Sequence, residues 1–341
     1  MMMGTATEQK VARKRWLILI LLAILLVGTF IYSVNAGFSK IPFIDVIKTL
    51  FGQGSPQDTL IISQFRLPRI IVAVLVGAGL AISGALLQAV SQNSLADPGI
   101  LGINNGAGLA VMLYISYFPS TLDVPVMFMP LVGFTGAILT AFVVYGLSYS
   151  RQEGLLPNRL VLTGVAVSAA VAALMTLLTI RLDPENYQVV AEWLAGNIWA
   201  SNWQYVFALL PWLIVLVTVA MFKIKTLDIL GFGDQVATGL GVKTEKEKII
   251  LLIVAVALAA ACVSVSGGIA FIGLIGPHIA RRLVGSGHKW VLPISALIGA
   301  LLLLVADTIG RIIVQPSEIF AGIVVAVIGA PYFLYLLAKT K

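Results

Sequence analysis

The chain has 341 residues, 59% of them hydrophobic and 11% charged, with a mean hydropathy of +1.01 and a formal net charge of +7. That is too little polar surface to cover a soluble globule, so the composition excludes a water-soluble domain and places the chain in a bilayer. The basic residues lie scattered through short segments between apolar runs, which is how membrane topology is encoded and not how nucleic acid is bound; Cys262 is the sole cysteine, so no disulfide or cysteine metal cluster forms within one chain.

Residues 1–15, with Lys10, Arg13, Lys14 and Arg15, read as a cytoplasmic tail before a first span at 16–34. The basic stretch, the apolar run and Val34-Asn35-Ala36 look somewhat like a cleavable signal, but the run from Trp16 to Val34 is longer than a usual signal core and is kept as a span. Arg66-Leu67-Pro68-Arg69 comes next, immediately before residues 70 to 96, which hold no charge; the second span is expected at 68–88. Spans three to six are expected at 98–118, 126–148, 160–180 and 204–222.

The charge-free interval 249–280 is broken by Gly267-Gly268 and holds either one tilted helix or two. Lys and Arg in short loops stay cytoplasmic. Two helices put 16 Lys and Arg, including Arg151 and Lys341, on the side of the N-terminus and 6 opposite; one helix gives 12 against 10. The charge bias selects two, at 248–266 and 269–284, followed by 290–311 and 319–338. The expectation is an all-α polytopic membrane protein of ten transmembrane helices, one domain over 16–338, with the N-terminus and residues 339–341 in the cytoplasm.

Small residues recur every fourth position at Ala73, Gly77, Ala81 and Ala85, at Gly164, Ser168 and Ala172, and at Gly322, Ala326 and Ala330. Such stripes let helix backbones approach, so that dispersion holds the bundle together. A weak echo pairs Ile82-Ser83-Gly84 with Val265-Ser266-Gly267 in spans that run oppositely, the pattern of an inverted repeat. Three aqueous segments remain: 35–65 and 181–203 outside, and 223–247 inside. Trp193, Trp199 and Trp203 in the second read as an interfacial aromatic belt.

Within 226–246, a short helix is expected, N-capped by Asp234, stopped by Gly239 and Gly241, with Val236, Ala237 and Leu240 as one small apolar face. An apolar face in the cytoplasm suits a partner groove, although an ordinary loop has the same composition. Asp97 before Pro98 reads as a helix N-cap, Asp307 as the i+4 partner of Arg311, and His278 as packing at a helix end; His288 lies in a loop, and no second ligand accompanies either histidine at metal spacing. Arg66 and Arg69 fall on the outer side, against the general bias. They are either lipid anchors or contacts for something outside.

Gly231-Phe232-Gly233-Asp234-Gln235-Val236-Ala237-Thr238-Gly239-Leu240-Gly241 resembles the coupling loop of the FecCD-type permeases of ABC importers, which carry iron-siderophores, haem and vitamin B12. The same pattern is met at Arg66–Arg69, Gly84–Gln88, Asn93–Gly102, Gly268–Arg281, Ala306–Arg311 and Gly329–Pro331, in order over most of the chain. Ser94 stands where the family usually has proline, and Asn104-Asn105 replace a commoner small pair. The resemblance implies a type II importer permease bundle in a bacterial cytoplasmic membrane, with no cofactor. It also implies a second permease copy or a paralogue as dimer partner, two cytoplasmic ATPase subunits meeting Gly231, Asp234, Ala237, Gly239, Leu240 and Gly241, and an extracytoplasmic substrate-binding protein whose acidic residues meet Arg66, Arg69 and Arg311. The path would run between permease copies, lined by spans five and ten. The implied cargo is an iron(III)-siderophore, with haem or cobalamin as alternatives. The chain contains no G-x-x-x-x-G-K-[ST] segment, so ATP hydrolysis is assigned to a separate subunit, and no HExxH or paired-histidine cluster supports an enzyme. An ion-coupled secondary transporter would need mid-span acids, and the few present have local explanations.

Overall fold

A computed structural model describes residues 2–37, 41–50, 52–99, 101–118, 127–150, 152, 154–198 and 201–339. Ile100, Arg151, Trp199 and Lys341, used in the expectations above, lie outside the described residues. The elements in chain order are α1 (Met2–Asn35), α2 (Phe43–Leu50), α3 (Pro56–Leu60), a π-helical turn (Ile61–Arg66), α4 (Leu67–Val90), α5 (Ile103–Tyr117), α6 (Phe128–Ser148), β1 (Tyr149–Ser150), β2 (Gly154–Leu155), α7 (Pro157–Thr179), α8 (Pro184–Leu194), α9 (Trp203–Phe222), α10 (Ile224–Leu230), α11 (Asp234–Gly239), α12 (Thr244–Ser266), α13 (Ile272–Val284), α14 (His288–Ile313) and α15 (Ala321–Lys339). β1 and β2 form a two-residue antiparallel hairpin, Tyr149 opposite Leu155.

A helix lies at each of the ten expected positions, and among the described residues 8 are long and apolar enough to cross a membrane. The other two are α5, with 15 residues, and α13, with 13. At 1.5 Å per residue these reach only about 20–23 Å of a roughly 30 Å hydrocarbon core. Both start later than expected because irregular chain precedes them. Asp97 does not cap a helix: its Oδ2 accepts from the Gly99 N–H at 2.8 Å, forming a local turn, and α5 begins only after Gly102, whose φ is +76°. Gly267-Gly268 breaks the chain between α12 and α13 where the sequence indicated.

The bundle is built around α4, against which α14, α12 and α13 pack. Its stripe of Ala73, Gly77, Ala81 and Ala85 is buried. Gly77 faces Gly299 of α14 backbone to backbone, and Gly84 faces Gly273 of α13; a Cβ at Gly77, Gly299 or Gly84 would collide with the opposing carbonyl, and one at Gly273 would strike Asp97 and Pro98. This close contact exists because small side chains leave room for dispersion between backbones, the main attraction available in lipid. The Ser83 hydroxyl donates to the Ala255 carbonyl at 2.6 Å, a polar tie between α4 and α12. By contrast α1, α7 and α15 expose most of their surface, including Leu162, Leu177, Val327 and Leu334.

Of the aromatic belt expected over 181–203, Trp193 is corrected and Trp203 is half-buried. Trp193, at the end of α8, is 9% exposed and packs over Gly133 and Gly108, and its carbonyl accepts from the Gly268 N–H at 3.2 Å. Trp203 donates its indole N–H to the Ser63 carbonyl at 2.7 Å. The C-terminal end of α8 is thus packed into the bundle through Val190 and Trp193, while Tyr187 and Val189 stay exposed.

Candidate functional site

Two constellations stand at opposite ends of α14. Arg311 lies 23 residues after His288, which starts that helix, so about 35 Å of helix separates them.

At the end reached by Arg311, the structure brings together Arg66, Arg69 and Arg311, and it buries all three, with 8%, 7% and 5% of their surfaces exposed. Arg69 directs Nε and Nη2 to Asp307 Oδ1, each at 2.8 Å, and Nη1 to Glu318 Oε2 at 2.6 Å. Arg311 places Nε 3.1 Å from Asp307 Oδ2, near enough for charge pairing though not aligned as a hydrogen bond, and donates Nη1 to the carbonyls of Ser33 and Ala36 at 3.2 and 2.9 Å. Arg66 donates Nη1 to the Val34 carbonyl at 2.7 Å. The Thr308 hydroxyl donates to Ser33 Oγ, 2.9 Å away. The ends of α1, α4 and α14 and the link before α15 are therefore tied by one charge-assisted network centred on Asp307, which is wholly buried. The i+4 pairing of Asp307 with Arg311 is present, whereas none of the arginines lies at the surface as a lipid anchor. Glu318 was not singled out in the sequence; its only signal there is being the sole acid between α14 and α15.

At the opposite end, α10 and α11 form a short hairpin that is held at several points. The Gln92 amide donates to the Leu230 carbonyl at 3.3 Å, the His288 N–H donates to Asp228 Oδ1 at 2.8 Å, and His288 Nδ1 lies 2.7 Å from that oxygen. Lys223 pairs with Glu247 at 2.7 Å and Lys248 with Asp234 at 2.5 Å. His288 is thus the first residue of α14 and not part of a loop. Nearby, the exposed Tyr149 hydroxyl donates to Glu245 Oε1 at 2.8 Å, and that carboxylate raises the phenol's pKa by hydrogen bonding and charge.

Two local expectations for this hairpin are corrected. Gly233, not Asp234, is the N-cap, because the entry to α11 needs φ of +95°; the Asp234 carboxylate, freed from capping, pairs with Lys248 on α12. Val236, Ala237 and Leu240 do not share one face. Ala237 is buried under the hairpin, while Val236 and Leu240 are 50% and 63% exposed and are joined by Phe232 at 71%. The helix closes as expected near Gly241, whose φ of +85° allows the Val242 N–H to reach the Ala237 carbonyl at 3.0 Å. Gly231 and Gly239 bracket the turn and the helix end without positive φ. The arrangement is an element fastened at several points that leaves three apolar side chains uncovered by the rest of the chain, a form suited to a partner's groove.

The two asparagines that depart from the family pattern are structural ties: Asn104 donates to the Ile269 carbonyl at 3.0 Å, and Asn105 to Ser168 Oγ of α7 at 2.8 Å. His278 packs edge-on against the Tyr332 ring, consistent with packing. Among the described residues no group of three His, Cys, Asp or Glu is placed to hold a metal ion.

A model of the FecCD transport family matches residues 17–339. The chain belongs to that family. It is 46% identical over 322 residues to the iron(3+)-hydroxamate import system permease protein FhuG of Bacillus subtilis strain 168, covering 93% of this chain and 95% of the relative. To the Fe(3+) dicitrate transport system permease protein FecD of Escherichia coli K12 it is 36% identical over 324 residues, covering 95% and 99%. A solved inward-facing conformation of a putative metal-chelate type ABC transporter superposes with a TM-score of 0.79 at 31% identity, covering 95% of this chain and 99% of that one. The all-α bundle is accordingly a multi-pass membrane protein of the ABC permease class, and the apolar faces of α1, α7 and α15 need no aqueous explanation.

Proposed function

We propose that this chain is the permease subunit of an ATP-driven importer of iron(III) chelates, with siderophore complexes of the hydroxamate kind as cargo. The observation that carries the reading is the full-length similarity to an iron(3+)-hydroxamate permease.

In this reading ten helices cross the membrane in one domain over 16–338. α5 and α13 complete their crossings with the irregular segments before them, which is tolerated at membrane depth where backbone groups find protein partners; the Ile269 carbonyl and the Gly268 N–H have them. The two halves are related as an inverted repeat. The charge bias puts both termini and 226–246 in the cytoplasm and the arginine network outside. Two ATPase subunits receive the α10–α11 hairpin, with Gly231, Asp234, Ala237, Gly239 and Gly241 shaping the mount and Leu240 on its exposed face. A second copy or a paralogue covers the exposed faces of α7 and α15. Arg66, Arg69 and Arg311 form the docking corner for an extracytoplasmic binding protein, guanidinium groups being suited to carboxylates. Docking and nucleotide then shift the bundle between inward- and outward-open states by their differential affinity for each.

The test is reconstitution with the ATPase and binding protein in liposomes. Uptake of radioactive iron as ferrioxamine B should require ATP and persist when proton and sodium gradients are collapsed. Uptake driven by an ion gradient without ATP would overturn the mechanism, and transport of haem or cobalamin in place of the iron-hydroxamate would overturn the cargo.

A further inference from the structure

Each nitrogen of the Arg69 guanidinium is already engaged. Nε and Nη2 are taken by Asp307, and Nη1 by Glu318. The two carboxylates differ in one respect that matters for anything arriving from solution: the Asp307 side chain is 0% exposed and the Glu318 side chain 32%. Displacing Asp307 would open the packing between α4 and α14 and leave a buried charge unpaired. Displacing Glu318 returns a carboxylate already about one third exposed to water at small cost.

Glu318 is also held in place by the backbone. The Ile319 N–H donates to the Gly310 carbonyl at 3.0 Å, which folds the link between α14 and α15 back over the end of α14 and aims the Glu318 carboxylate at Arg69. We propose that Glu318 is an internal stand-in for a carboxylate of the docking protein, occupying the outer edge of Arg69 while the corner is vacant and exchanged for the partner's carboxylate when it docks. The inference rests on the docking reading of Arg69 given above. An intramolecular carboxylate competes at high effective concentration, so it weakens docking while keeping Arg69 oriented and charge-compensated between cycles. The exchange releases the link three residues before α15 begins at Ala321.

The experiment uses the complete transporter in nanodiscs and its purified extracytoplasmic binding protein loaded with ferrioxamine B, with affinity measured at low and at physiological salt. Glu318→Gln should tighten binding about three- to tenfold, because a neutral amide holds Arg69 less strongly than a carboxylate, and association should become more salt-dependent because the corner has lost a negative charge. Glu318→Ser should do the same, which guards against a peculiarity of one variant. Binding as tight as or weaker than wild type in both variants overturns the proposal. Arg69→Lys keeps the charge that Asp307 needs and loses the fork: weakened binding there with Glu318 variants unchanged sinks the stand-in alone, whereas binding unchanged in Arg69→Lys sinks the docking corner and the stand-in together.

Discussion

α14 ends among buried charges and begins beside exposed apolar groups. At its far end Asp307 and Arg311 are enclosed with Arg66 and Arg69, each less than a tenth exposed, while the hairpin against its first residue leaves Phe232, Val236 and Leu240 uncovered. Side-chain polarity read alone assigns both ends wrongly. The charges go inside because Asp307 and Glu318 offset Arg69 and Arg311 while the Val34 carbonyl accepts from Arg66, and the apolar groups stay uncovered because the hairpin is too short to cover them. The comparison breaks most visibly at Asp307. Removing it in Asp307→Ala leaves Arg69 and Arg311 buried with less negative charge, and breaking a buried pair on one side costs about 3–5 kcal/mol. Thermal unfolding in detergent should show a large drop, and a drop equivalent to under about 1 kcal/mol would mean the network does not hold the end of the bundle together.

At the hairpin the expected effect is on association, not on folding. Phe232→Asp with Leu240→Asp places two charges where the rest of the chain leaves the side chains largely uncovered, so thermal stability should change little. Co-purification of the ATPase subunits should fall more than tenfold on the scale of interface anchors that each cost about 2 kcal/mol when removed. If the ATPase stays bound and coupled, the apolar trio is not the mount.

The long apolar runs, the Gly267-Gly268 break and the stripe on α4 were legible because each is local: length, backbone freedom and side-chain size act within one helix. The sequence did not show that Arg66 and Arg69 turn inward, since Asp307 and Glu318, the partners of Arg69, lie 238 and 249 positions away from it. For Trp193 the same limit applied, because burial depended on Gly133 and Gly268 meeting it across the bundle. The start of α5 was misjudged for a different reason: the carboxylate of Asp97 satisfies a turn as readily as a helix cap, and only the positive φ at Gly102 separates the two. Phe232 was passed over although its flanking Gly231 and Gly233 mark a tight turn whose tip has nowhere to bury a side chain.

The smallest effect sharpens the contrast by testing a charge pair at the apolar end. Lys248 and Asp234 meet at 2.5 Å, but their side chains are 4% and 50% exposed, so the pair is half in water and far weaker than the network at Asp307. Asp234→Asn leaves the covered ammonium without its counter-charge, and Lys248→Met removes that charge while keeping the chain length. If solvent screening governs the pair, Asp234→Asn costs about 1 kcal/mol and Lys248→Met less. Because α11 is a six-residue helix, that loss should appear as faster amide exchange over residues 231–243 with the global unfolding temperature unmoved. A fall in global stability as large as that of Asp307→Ala would mean that the two ends of α14 are held by charge in the same way, and the difference between them would then lie only in what they expose.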